Sequence, residues 1–82
     1  MSLDHYSDQP VYVQLAGILR QMILSGKIGP RQPLPSGRTL EQEYGVAGGT
    51  VEKAVGVLRD EGLVRTVPGR GVYVVPAAER GA

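Results

Sequence analysis

The chain contains no cysteine, a single histidine and no apolar run of membrane-spanning length. Without cysteine there are no disulfides and no thiolate metal ligands, which fits a reducing cytoplasm. His5, the lone histidine, lies in the leader with no second imidazole or thiolate to share a metal, so no cofactor or metal site is expected. No stretch approaches the ~20 consecutive apolar residues of a membrane helix, and no signal-peptide layout opens the chain. A surplus of one charge sign is missing too: nine basic and eight acidic side chains leave a formal charge of +1 on 82 residues. Between Ser36 and Val75, Arg38, Lys53, Arg59, Arg65 and Arg70 are balanced by Glu41, Glu43, Glu52, Asp60 and Glu61. Nucleic-acid modules ordinarily carry a clear basic stripe, so any such role has to rest on local placement. A catalytic constellation is absent as well. No nucleophile–base pair is evident, and PGRGVY sits on a hairpin rather than in the strand-to-helix setting of a phosphate cradle. Tyr6, Tyr12, Tyr44 and Tyr73 are too scattered to form a stacking platform.

What the chain has in quantity is punctuation. Twelve glycines and six prolines fall mostly between periodic segments, which argues for ordered turns. A chain this short buries about 60–65% of the surface it would expose unfolded, enough to fold as one domain with little margin. Residues 1–9 read as a flexible leader, 10–76 as the folded domain and 77–82 as a polar tail.

Pro10 suits the first turn of a helix, where its missing N–H is no loss. Val11, Leu15, Ile18, Leu19, Met22 and Ile23 then form an apolar stripe that Ser25 and Gly26 close. IGPRQPLP follows, and its prolines forbid helix and predict an extended loop from which Ile28 and Leu34 plug into the core. Ser36 is an N-cap for a short second helix over 37–44, with Leu40 and Tyr44 inward. Gly45 provides the left-handed corner, and Val46 tucks under it. A third helix over about 48–61 carries Val51, Ala54, Val55 and Leu58 at i, i+3, i+4 and i+7, one stripe of a 3.6-residue period. Gly62 terminates it. The β-rich runs 63–67 and 72–75 are joined by Pro68-Gly69-Arg70-Gly71 as a hairpin. The expected fold is mainly α with a small β-hairpin, a winged helix-turn-helix of three helices and a two-stranded wing. A helix held by another across a tight turn can enter a DNA major groove.

The side chains that would meet DNA can be named. Arg38, in the first turn of the second helix, is mildly disfavoured by the helix dipole and suits a phosphate, with Ser36 and nearby N–H groups helping. On the third helix, Gly48, Gly49, Thr50, Glu52 and Lys53 are expected outward. There Gly49 allows close backbone approach, Thr50 meets a thymine methyl or phosphate, and Lys53 a phosphate or guanine. Glu52 can accept from cytosine N4, though a carboxylate near phosphates otherwise costs affinity. At the wing tip, Arg70 suits a narrow minor groove and Gly69 lets the backbone approach. Each has a plainer reading as a solvated surface residue, a frayed helix end or an ordinary hairpin loop.

From Pro10 to Val75 the chain resembles the N-terminal winged-helix domain of GntR-family transcription regulators. The matching pieces are PVYVQLAGILRQMILSGKI, PLPSGRTL, EYGVAGGTVEKAV, LRDEGLV and PGRGVYV, in order and with matching spacing. The resemblance implies a phosphate contact at Arg38, a recognition helix around Thr50 and a wing glycine, Gly69, near the minor groove. It also implies dimeric binding to palindromic duplex DNA by a regulator, a repressor in most members. Departures stand at Gly37, where the family has an acid, and at Glu41, where it has a small residue. Ala47 replaces a hydroxyl cap, forfeiting about 0.5–2 kcal/mol, and Gly48 and Glu52 replace arginines. An effector-binding domain is not evident, which leaves three expectations open: a single-domain DNA-binding regulator, a winged helix turned to protein binding, or a fragment of a longer regulator.

Overall fold

The apolar stripes assemble as three helices followed by a hairpin: α1 (Val11–Leu24), α2 (Gly37–Tyr44), α3 (Gly48–Asp60), β1 (Val64–Val67) and β2 (Gly71–Val74). The computed structural model describes residues 3–4 and 8–80; His5 and Tyr6 lie outside the described residues. α1 buries Leu15, Ala16, Ile18, Leu19 and Ile23, and α3 buries Val51, Ala54, Val55 and Leu58, the stripe its spacing predicts. The two helices pack on each other, α2 adds Leu40, and the hairpin closes the core with Val64 and Val74. Leu58 is fully buried at the centre, so Leu58→Ala would cost about 2–5 kcal/mol through lost contacts and a cavity.

Caps fix the helix ends. Ser36 Oγ accepts from the Thr39 N–H at 3.1 Å, and Gly45, at φ 64° and ψ 40°, ends α2 in the left-handed region. Beyond α3, the Leu63 N–H donates to Leu58 O and the Gly62 N–H to Arg59 O, both at 3.0 Å. This is the paired closure of a Schellman turn, with Gly62 at φ 78°. Ala47, by contrast, offers α3 no side-chain cap. Arg20 on α1 grips Glu61 through two hydrogen bonds, Nε to Oε1 at 2.8 Å and Nη2 to Oε2 at 2.5 Å. That contact holds the Glu61 carboxyl below the usual carboxylate range and raises the arginine.

The hairpin pairs Val64 with Val74 and Val67 with Gly71, antiparallel. Val67 O accepts from the Arg70 N–H at 3.0 Å with Gly69 at φ 75°, which fits a type II turn with proline and glycine at its centre.

Several segments differ from the sequence-based reading. Pro10 precedes α1 as its N-cap, and its carbonyl receives the Val13 and Gln14 N–H groups. The proline-rich segment is not a plain loop: the Leu34 N–H donates to Val72 O and the Val74 N–H to Gln32 O, both at 2.9 Å. It therefore lies along β2 as a third edge, bridged at Pro33 and Tyr73. The prolines tolerate this because the pairing asks an N–H of Leu34 and none of Pro33 or Pro35. The leader is anchored at Asp4, whose N–H donates to Gln14 Oε1 at 2.7 Å, while Leu3 packs on the core. In the tail, Ala77–Glu79 forms a 3-10 turn, and Arg31 pairs with Glu79.

Candidate nucleic-acid interface

α3 stands against the core with one side open, and its open side has two flanks. Toward the wing lie Glu52 and Arg59, which line an open cleft of about 770 Å³ together with Ser36, Gly37, Thr66 and Arg70. The cleft floor is apolar, formed by Leu34, Leu40, Val51, Val55 and Val72. Toward α1, the Lys53 ammonium sits 5.7 Å from the centroid of the Tyr12 ring, within cation–π range. Gly49, Glu52 and Lys53 are exposed, whereas Gly48 and Thr50 are only half-exposed.

The remaining expected residues are placed as follows. Ser36 is exposed, but its hydroxyl is engaged by the Thr39 N–H and by Thr39 Oγ1 at 2.9 Å. Arg38 projects from the first turn of α2, exposed, outside the cleft lining. Gly69 and Arg70 form the exposed wing tip, with Arg70 facing the cleft. The cleft thus joins Ser36 and Arg70, while Arg38, Thr50 and Lys53 lie outside it.

Arg59 and Thr66 were not singled out by sequence reasoning. Arg59 follows Glu52 by seven residues, two helical turns, and so shares its flank. Thr66 faces the same way as Val72, its partner across the hairpin. The spacing to Glu52 was readable; that this flank turns toward the wing depends on how α3 packs.

Glu41 changes the electrostatics at the tip of α3. A Cβ added to Gly48 would lie 3.4 Å from Glu41 Oε2, so the carboxylate stands beside the helix N-terminus. A negative charge there complements the helix dipole and compensates in part for the uncapped Ala47. The same charge opposes an approaching phosphate.

A solvent-open third helix, a tight glycine corner behind it and a two-stranded flap beside it define a winged helix-turn-helix domain. The profile of the bacterial regulatory proteins of the gntR family matches residues 11–74; the chain belongs to that family and forms the DNA-binding domain of a transcription regulator of this type. It is 35% identical over 74 residues to the transcriptional repressor NagR of Bacillus subtilis, covering 90% of this chain and 30% of NagR. With the repressor YtrA of the same species it shares 34% identity over 74 residues, 90% of this chain and 57% of YtrA. The chain therefore spans about a third to somewhat over half the length of these relatives. Among solved structures, the AraR DNA-binding domain in complex with operator ORE1 superposes with a TM-score of 0.80 at 34% identity, covering 92% of this chain and 94% of that one.

Proposed function

We propose that this chain binds duplex DNA with the N-terminal half of α3 in the major groove and the Gly69–Arg70 wing tip over the adjacent minor groove, as a cytoplasmic repressor acting on a palindromic site as a dimer. The cleft between α3 and the wing carries this reading. Gly48 and Arg59 are about 16 Å apart along the helix at 1.5 Å per residue, whereas the major groove is only about 8.5 Å deep. With the helix tip at the bases, the Arg59 backbone stands about 8 Å above the groove rim, close enough for its long side chain to reach back to the phosphates on the wing side. Arg38 and Lys53 supply further phosphate contacts, and Gly49 and Thr50 approach the base edges. The operator complex of the similar AraR domain supports double-stranded DNA as the partner.

A second reading has its own support. Glu41 beside Gly48, together with exposed Glu52, puts two carboxylates near the tip that would enter the groove, and a winged helix can serve as a protein-binding scaffold. Fluorescence anisotropy on random and genomic duplexes at ~50 mM salt separates the two, because phosphate-driven binding is strongest at low salt. Saturable binding that weakens steeply with salt supports the DNA reading. No binding at high micromolar protein, with one stoichiometric protein partner recovered instead, overturns it. Selection from a random duplex library then gives the site and, through half-site spacing, the dimer geometry.

A further inference from the structure

Arg70 lines two hollows at once. One is the cleft shared with α3; the other is a shallow hollow of about 190 Å³ on the opposite face of the wing, walled by Arg31, Arg65, Arg70 and Tyr73. The hairpin register explains the division. Side chains alternate faces along a strand, so Thr66 and Val72 look into the cleft while Arg65 and its partner Tyr73 look away from it. Arg31 comes from the third edge: its N–H donates to Val74 O at 3.0 Å, and its φ of 63° turns the chain alongside β2. Arg31, Arg65 and Arg70 therefore share the outer wing face. Glu79 pairs with Arg31, and among the described residues neither Arg65 nor Arg70 forms an ion pair.

We propose that the outer wing face is a second phosphodiester site, in which Arg65 and Arg31 hold one strand bordering the minor groove while Arg59 and Thr66 hold the other in the cleft. This rests on the duplex-binding reading above and adds the side of the wing that makes the contact. A minor groove about 6 Å wide is bordered by a phosphate strand on each side, so a wing tip lowered into it meets negative charge on both faces. This wing carries arginine on both, with Arg70 at the tip between them. Arg31 enters the surface only through folding, since Arg65 lies 34 positions further along the chain.

The test compares the intact chain with Arg65→Gln, Arg31→Gln and, as a control of equal charge change outside both hollows, Lys27→Gln. All are titrated onto one 20-base-pair duplex across a salt series, and the complexes are footprinted with hydroxyl radicals. Each lost phosphate contact should flatten the salt slope by about 0.9 and weaken binding about 8-fold at 0.1 M salt. Arg65→Gln should show both effects and lose protection on one strand only, at the edge of the minor groove. If the parent binds but Arg65→Gln and Arg31→Gln match Lys27→Gln in slope and footprint, the outer site is refuted and the DNA reading stands. If the parent binds no duplex, both fall.

Discussion

Glu52 is the exposed carboxylate that shares the cleft with Arg59 and Arg70, and replacing it by glutamine removes one charge at nearly constant shape. Against a phosphate about 7 Å away in water, that charge is worth about 0.6 kcal/mol of repulsion. Two bordering phosphates make this roughly a 7-fold penalty at low ionic strength, shrinking to about 2-fold at 0.15 M salt, where the Debye length is about 8 Å. On random duplex, Glu52→Gln should therefore tighten binding, and more at ~20 mM salt than at physiological ionic strength. On the best selected site the sign can reverse. If Glu52 accepts a hydrogen bond from cytosine N4, exchanging that charge-assisted bond for a neutral amide one about half as strong offsets the relief of repulsion on that site. Anisotropy titrations of both probes at two salt concentrations give the four numbers needed. An affinity that moves on neither probe would refute the placement of this flank of α3 against DNA.

Gly48→Arg restores a cation at the helix tip, but beside the Glu41 carboxylate, so alone it should tighten duplex binding by no more than 2–3-fold at ~50 mM salt. Combined with Glu41→Gln it should approach the ~10-fold of a full phosphate contact; additive effects in that double-mutant cycle would show that the two side chains do not meet. Glu61→Gln tests the clamp between α1 and the end of α3. Because Arg20 holds the Glu61 carboxyl below its unfolded value, the stabilisation is fully present above about pH 5 and fades as pH falls through the lowered folded value. Both side chains are over a third exposed or close to it, at 35% and 38%, so the difference in urea stability at pH 7 should be about 0.5–1 kcal/mol. It should shrink steadily as the solution is acidified below the ordinary carboxylate range, and a gap that does not shrink would mean that packing rather than charge holds the contact.

Much of the fold could be read from spacing alone. Val51, Ala54, Val55 and Leu58 are all buried, and Gly45 and Gly62 adopt the positive φ that their turns demand. These features are local: a 3.6-residue period and a terminating glycine declare themselves within a dozen residues. The third edge did not, because IGPRQPLP carries the composition of a loop. Its pairing with β2 depends on a register set by residues some forty positions later. For the proposed interface, only exposure could be checked. Ser36, Arg38, Lys53, Gly69 and Arg70 are exposed, but exposure does not say which of them share a surface. Lys53 turns to Tyr12 on α1, Arg59 turns to the wing, and Arg31 joins Arg65 from a distant segment. Each of these directions is a property of packing between elements.

The near-zero net charge loses its force once the charges are located. Glu41 stands at the N-terminus of α3, where the helix dipole uses it, and Glu61 is taken up by Arg20 on α1. Arg59, Arg65 and Arg70 surround the wing, and no ion pair consumes them among the described residues. Phosphate attraction falls off within about 10 Å at 0.1 M salt, so a duplex lying along the wing responds to those arginines far more than to the total. The helix tip, where Gly48 and Glu52 stand, contributes little such attraction. On this division, substitutions around the wing should weaken every duplex alike and flatten the salt slope, while substitutions at Gly49 and Thr50 should alter which duplex is preferred. Phosphate contacts position a protein on DNA and base contacts specify the sequence; in the proposed binding mode the two tasks fall on different elements of the same domain.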